Sequence, residues 1–583
     1  MLDFGLVGNC KTCALITRNG IVNYMCFPDF DSPTVFAKLL DETKGGSLSI
    51  HTQKDFDIKQ YYVKNTAVLI TEYKADDEAF KIIDFMPKAT KNVNIQNMLV
   101  RIIKPIKGNP KIRVNSQPKP GYGQKPITKK LETNTYKYTV KQQEIYVKSN
   151  ASFQFKLENE VFIAIGNKNV KSINVNKANN LLQQTKKYWN EYVQNLYLPQ
   201  KNKEVIIRSA ITLKLLSYDE TGAIIAAATT SIPEEIGSQR SWDYRYCWIR
   251  DASYAVDALE KIGRSHESKK FITFMKKVTN KGKNIQPLYG IKGEKNLKEH
   301  LIQTLDGFKR GPVRKGNEAF TQKQHDVFGT LIDILYLRFE YYANKKEMKP
   351  SDWIFLKTLV NKIRDHWQQK DVGIWEFRTL PNHYTYSKLM CYVGVDRAVK
   401  LAKFYEKKDL AKKWSTLRDD IKKDIIKKGY DKEEKTFTIS YDGKGLDASL
   451  LKMTYHEFLP PHNEMLTNTV LKIYDELRNG CLVKRYKVKD DFGHSNSAFT
   501  ICTFWLIDAL YYIGEKEKAK TLYNQILTYR NHLGLFSEDI NIKNKYLVGN
   551  FPQAYTHIAL INSSILLSEW NSKRKKIKDT KKE

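Results

Sequence analysis

The hydrophobic period changes once along this 583-residue chain, from about two to about 3.6, and that change divides what the chain can fold into. Up to about Gly166 the pattern is short apolar or alternating runs, such as Ala67 to Tyr73, Phe80 to Phe85, Met98 to Ile103 and Thr135 to Val140, separated by Gly, Pro, Asn and Asp turns. An antiparallel β-sandwich over residues 1–176 is predicted. From Lys177 to Leu196 the spacing of Leu181, Leu182, Tyr188 and Tyr192 is helical, and residues 177–200 read as a helical linker. Helical stripes then repeat: Val327, Phe328, Leu331, Ile332 and Leu335 share one face, as do Val395, Ala398, Val399 and Ala402, and Phe499, Cys502, Trp505 and Leu510. Paired helices of this kind fit a solenoid or a closed helical barrel, and the lack of a fixed-period repeat disfavours the solenoid. This second domain is expected to span 201–572, leaving a basic tail at 573–583.

The 97 basic and 64 acidic residues give a net charge of +33, but the lysines are spread along the whole chain, which favours a lysine-rich solvated surface over a polyanion site. Neither nucleic acid nor membrane is expected as a partner. The N-terminal Met1-Leu2-Asp3-Phe4-Gly5 has no signal-peptide character and no apolar run reaches the ~20 residues of a membrane span, so a cytoplasmic protein is expected. Seven cysteines fit a reducing compartment, and Cys10-Lys11-Thr12-Cys13 lacks the second ligand pair that a structural zinc needs. No H-E-x-x-H occurs, and Gly121-Tyr122-Gly123 reads as a turn and not as a phosphate cradle, so neither metal nor cofactor is expected.

Two glutamate-bearing loops, Gly373-Ile374-Trp375-Glu376-Phe377-Arg378 and Gly534-Leu535-Phe536-Ser537-Glu538-Asp539, stand 162 residues apart (538 − 376). Glycoside hydrolysis needs such a carboxyl pair, one to protonate the leaving oxygen and one to activate water. A third segment, Ser241 to Asp251, packs Trp242, Tyr244, Tyr246 and Trp248 among Asp243, Arg245, Arg250 and Asp251. Flat apolar faces and planar charged forks suit a pyranose. The alternative is a core cluster with Asp251 as a helix N-cap.

These segments, with Gly549-Asn550-Phe551-Pro552-Gln553-Ala554-Tyr555-Thr556-His557, Phe4 to Gly8, Pro28 to Pro33, Arg310 to Asn317 and Ser387 to Cys391, resemble glycoside hydrolase family 15, the glucoamylases and prokaryotic glucoamylase/trehalase-type enzymes. The resemblance implies a β-sandwich followed by an (α/α)6 six-hairpin barrel, inverting release of β-glucose, Glu376 as general acid and Glu538 as general base. It also implies sugar contacts at Tyr244, Trp248, Arg250, Asp251 and Trp375, with Arg314, Asn317, Lys388, Gln553 and His557 at the rim or behind it, Arg314 and Lys388 binding substrate from there. Trp375 and Phe377 are expected to desolvate Glu376, and Ser537 and Asp539 to keep Glu538 in a polar setting. Phe377 stands where fungal glucoamylases carry a second carboxylate, which leaves the leaving sugar open. The primary expectation is an exo-acting α-glucoside hydrolase of glucoamylase type acting on a small α-glucoside or oligosaccharide. Its alternatives are a trehalase using the same pair and a non-catalytic glucan-sensing or polyanion-binding protein. Oligomeric state is not legible.

Overall fold

A half-exposed strand alternates, yet Met98 to Ile103 is apolar almost without interruption. In the computed structural model the strand Met98–Lys107 lies inside an antiparallel eight-stranded sheet covered on both faces. The structure describes residues 2–89, 97–280, 282, 285–342, 348–441 and 443–570, so the basic tail at 573–583 lies outside the described residues. On one face of this sheet Leu69, Phe80 and Ile82 share a core with Leu6, Leu15 and Tyr24 of a seven-stranded antiparallel sheet. On the other face Ile83, Phe85, Val100 and Ile102 pack against Ala178 and Leu182 of helix α1 (Val175–Gln194). Double coverage is why the pattern loses its alternation. Within the buried face Arg101 forks onto Asp84, its cross-strand partner, through Nε and Nη2 at 2.7 and 3.0 Å.

The seven-stranded sheet runs from Phe4–Gly8 through Cys13–Thr17, Val22–Cys26, Leu48–Thr52 and Lys111–Ser116 to Gln154–Lys156, with Thr34–Phe36 on its third strand. Helix α1 starts where Asn174 accepts from the Lys177 backbone N–H at 2.8 Å, a side-chain cap of the usual kind.

The helices after it are α2 (Lys203–Leu215), α3 (Ile249–Lys261), α4 (Ser265–Val278), α5 (Asp326–Tyr336), α6 (Pro350–His366), α7 (Thr385–Phe404), α8 (Lys408–Gly429), α9 (Lys452–Tyr455, preceded by the 3-10 turn Ala448–Leu451), α10 (Glu464–Glu476), α11 (Thr500–Tyr512), α12 (Lys516–Ile526) and α13 (Ala554–Leu567). Helices α5, α7, α11 and α13 are buried along most of their length, whereas α8, α10 and α12 bury a single stripe. A helix apolar on all sides must be enclosed, and an amphipathic one can face water. Accordingly α13 packs on α3, α3 on α5, α5 on α7, α7 on the 448–451 turn, that turn and α9 on α11, and α11 back on α13. The amphipathic helices pack outside these: α4 on α3, α6 on α5 and α7, α8 on α7, α10 and α12 on α11. Among the described residues no helix is long and apolar enough to cross a membrane.

One fully buried side chain joins the sheets to the helical part. Arg245 forks onto Asp243 at 2.8 and 2.7 Å, and donates to the Ser32 carbonyl and the Tyr122 hydroxyl, each at 2.9 Å. Ser32 and Tyr122 belong to the N-terminal part, and Tyr244, next to Arg245, lines the pocket described below.

Candidate active site

The enclosed helices present their N-terminal ends to one region. Trp248 precedes α3, Asp326 opens α5, Asp447 caps the 448–451 turn, Phe499 precedes α11 and Gln553 precedes α13. Trp248, Phe499 and Gln553 line a single cavity of about 100 Å³ together with Tyr244, Arg250, Asp251, Trp375, Glu376 and Glu538. Helix N-termini carry partial positive charge, which favours the carboxylates gathered here.

Glu376 is turned into the cavity by a left-handed backbone (φ 61°), a conformation that costs a non-glycine residue about 1–3 kcal/mol. Its Oε1 accepts from Trp248 Nε1 at 2.9 Å and Gln324 Nε2 at 3.3 Å, and Arg250 stands 3.6 Å from the same oxygen. Both donors fall on Oε1. Trp375 is held by Nε1 donation to Asp447 at 2.9 Å and packs against Tyr486, Phe499 and Trp505.

Glu538 is 1% exposed, and its Oε2 accepts from the Asn550 backbone N–H at 3.1 Å. Gly549 is required beside it, since a Cβ there would stand 2.8 Å from the Cβ of Glu538 on a backbone at φ 73°. Arg485 binds Glu234 at 3.1 Å and Asp539 at 3.0 Å and approaches Glu538 Oε1 at 3.6 Å. Burial pushes Glu538 well above the usual carboxylate range; the charges of Glu234 and Asp539 add to this, while Arg485 and the facing Tyr244 hydroxyl oppose it. Burial likewise raises Asp539 to about 7 against the pull of Arg485. Glu234, Glu538 and Asp539 are the one cluster of metal-compatible ligands among the described residues, and the Arg485 guanidinium already supplies a positive charge between them. Desolvation therefore falls harder on Glu538 than on Glu376, whose side chain is partly buried at 24% exposed. Ser537 and Asp539, polar in sequence, are themselves buried and turned onto internal partners.

Glu234→Gln removes a negative neighbour and frees Arg485 for Glu538, lowering the Glu538 pKa. A group that works ionised loses activity as pH falls through its pKa, so the acid limb of kcat/KM is expected to move to lower pH in a pH–rate profile. An unmoved limb would separate Glu538 from that titration.

Residues 200–523 match the family model for glycosyl hydrolases family 15. The chain belongs to that family. Residues 3–183 match the model described as trehalase-like, N-terminal. A trehalase of Thermoplasma volcanium is 31% identical over 98% of this chain and 94% of its own length, and one of Mycobacterium tuberculosis is 32% identical over 97% and 89%. Among solved structures a bacterial glucoamylase crystallised with acarbose shares the fold, with a TM-score of 0.74 at 14% identity over 97% of this chain and 94% of that one. This family 15 member is thus a glycoside hydrolase of the glucoamylase-like or trehalase group.

Within the family 15 pocket Arg250 donates to Gln324 at 3.0 Å and Asp326 at 3.4 Å, and stands 3.6 Å from Asp251. Asp251 is the third residue of α3, whose N-cap is Trp248, so the capping alternative is corrected. Burial raises Asp251 to about 7, with Arg250 opposing it and Glu376 and Asp326 adding to it. Asp251 Oδ1, Arg250 Nε and Glu538 Oε1 are buried without hydrogen-bond partners. Buried polar atoms of this kind call for a ligand's hydroxyls or water.

Three sequence candidates, Lys388, Arg314 and His557, fall outside the cavity lining. Lys388 is fully buried on α7 and donates to the Gln369 carbonyl, so its assignment to substrate is corrected. Arg314 pairs with Glu299 and lies 5.2 Å over the Trp242 ring, behind the pocket wall. Asn317 and Gln553 line the cavity, while His557 accepts from the Phe536 N–H at 3.2 Å and so braces the Glu538 loop from behind. Sequence reasoning missed Arg485, Glu234 and Gln324, which sit in no motif; only the aromatic neighbour Tyr486 hinted at the first.

Proposed function

We propose that this chain is an inverting trehalase, with Glu376 as general acid and Glu538 as general base. The observation carrying this reading is that loops 162 residues apart (538 − 376) bring both carboxyls to one cavity. The chain resembles proteins named trehalase along almost its whole length, whereas the glucoamylase likeness at 14% identity concerns the fold. That reverses the order of the two sequence readings. The proposed organisation is a β-sandwich (1–176), a helical linker (177–200) and a six-hairpin (α/α)6 barrel (201–572), for which the succession of α13, α3, α5, α7, α9 and α11 is the support.

Two N–H donors on Glu376 Oε1 suit an acid whose proton sits on Oε2, ready for the glycosidic oxygen. Glu538 Oε1 has no protein hydrogen-bond partner, and Tyr244 stands beside the carboxyl, a setting for the attacking water. Arg250 and Asp251 would grip the hydroxyls of the glucose under attack.

The test is the anomer released. Inversion at one carbon of α,α-trehalose gives one β-glucose, and the departing glucose keeps its α configuration, so early NMR spectra are expected to hold equal amounts of both. Two α products would mean retention, and glucose from maltose but none from trehalose would restore the glucoamylase reading. Asp251→Asn is expected to lower kcat/KM by about 10–100-fold, the scale of a hydrogen bond to a charged group of about 1.5–3 kcal/mol. Its melting temperature is expected to hold, because the amide carries no buried charge.

A further inference from the structure

The cavity has a deep end and a mouth. Glu538, Asp251 and Arg250 are 1%, 8% and 6% exposed, whereas Phe492 at the mouth is 39% exposed and Arg378 is exposed beside it. Across this mouth runs the segment 490–493, between the strands Leu482–Val483 and Ser497–Phe499, fastened at both sides. On one side the buried Asp490 pairs with Arg240, which also donates to the Gly493 carbonyl at 3.1 Å, and Tyr486 donates to Asp490 at 2.7 Å. On the other, the Asp491 carboxylate accepts the backbone N–H groups of Arg378 at 2.6 Å and Thr379 at 3.0 Å, together with the Thr379 hydroxyl. Those N–H groups follow directly on Glu376-Phe377. Between the two fastenings Phe492 meets the Trp242 ring edge-on at 5.4 Å, and the Arg378 guanidinium covers that ring at 4.5 Å.

We propose that this segment is a strap limiting the leaving-group side to one sugar ring, and that Asp491 is the specificity-determining residue that latches it. The inference rests on the proposed acid role of Glu376, which puts the leaving sugar between that residue and the mouth. A second leaving-side ring would have to pass where Trp242, Phe492 and the Asp491 latch meet. The latch is exposed, so releasing it leaves the buried Arg240–Asp490 anchor and the fold in place. A disaccharide-sized limit distinguishes a disaccharide hydrolase from one that trims polymer ends.

The experiment compares the full-length protein with Asp491→Ala and Asp491→Asn on trehalose, maltose and maltotriose, each with a melting curve. In the wild type, maltotriose is expected to be the poorest of the three. Asp491→Ala is expected to raise the maltotriose-to-maltose ratio of kcat/KM by about tenfold or more, the discrimination that a single pocket element supplies, and Asp491→Asn by less. Binding calorimetry of the same two sugars in a Glu376→Gln background reads that ratio without turnover. An unchanged ratio in both folded variants, or a wild type that takes maltotriose as well as maltose, overturns the strap. Failure of the trehalase reading shows separately, as a wild type silent on trehalose, and the calorimetric ratio still judges the strap.

Discussion

Glu376→Gln is expected to cut kcat/KM on trehalose by about 10²–10⁴-fold, the usual worth of a general acid, while keeping most of the activity on α-glucosyl fluoride. Fluoride leaves without a proton, so an enzyme lacking only its acid still turns that substrate over. Glu538→Gln is expected to lose both activities, because water must be deprotonated whatever the leaving group. The pair of substrates therefore assigns the two roles. If Glu538→Gln kept the fluoride activity and Glu376→Gln lost it, the roles would be exchanged. Stability gives an independent check: Glu538 is buried with its pKa raised, so the neutral amide is expected to match or exceed the wild-type melting temperature at neutral pH.

Arg485→Met is the second large effect. The guanidinium serves Glu234, Asp539 and Glu538 and lies 4.4 Å over the Phe499 ring, so methionine keeps part of the packing and removes the charge. Breaking a buried ion pair by removing one partner costs about 3–5 kcal/mol. Carboxyls whose folded pKa is raised contribute stability that is present below the unfolded value and lost as pH rises through the folded one. Asp539 is already at about 7 with the arginine present, and losing it raises these groups further. The melting deficit is thus expected to be small near about pH 5 and to widen towards about pH 8. Thermal melts across that range test it, and a deficit flat with pH would leave Arg485 a packing role alone.

The elements most legible in the sequence were those whose information is local. Glycine-bounded loops around Glu376 and Glu538 and the aromatic segment before Asp251 each carry their chemistry within a few residues, and the cavity gathers all three. Strands at Phe80 to Phe85 and Thr135 to Val140 were equally readable because turns flank them. What escaped depends on partners distant in the chain. Arg485 is one of 97 basic residues until Glu234, 251 positions away, closes on it. Lys388 looked like a sugar contact beside a recognisable segment, but it sits on a helix buried on nearly all sides. The relative burial of the two glutamates inverted for the same reason: Trp375 and Phe377 flank Glu376 in sequence, yet neighbours along the chain do not decide which carboxyl faces the mouth.

Arg245 has a consequence for how this enzyme can be taken apart. Proteolysis that removed the first 170 or so residues would spare both glutamates, yet it would strip a fully buried cation of Ser32 and Tyr122 one position from Tyr244. The β-sheets are therefore no detachable accessory of the kind that gene fusion adds to or drops from carbohydrate-active proteins. They hold Arg245 from behind, and through it the backbone that sets Tyr244 in the cavity wall.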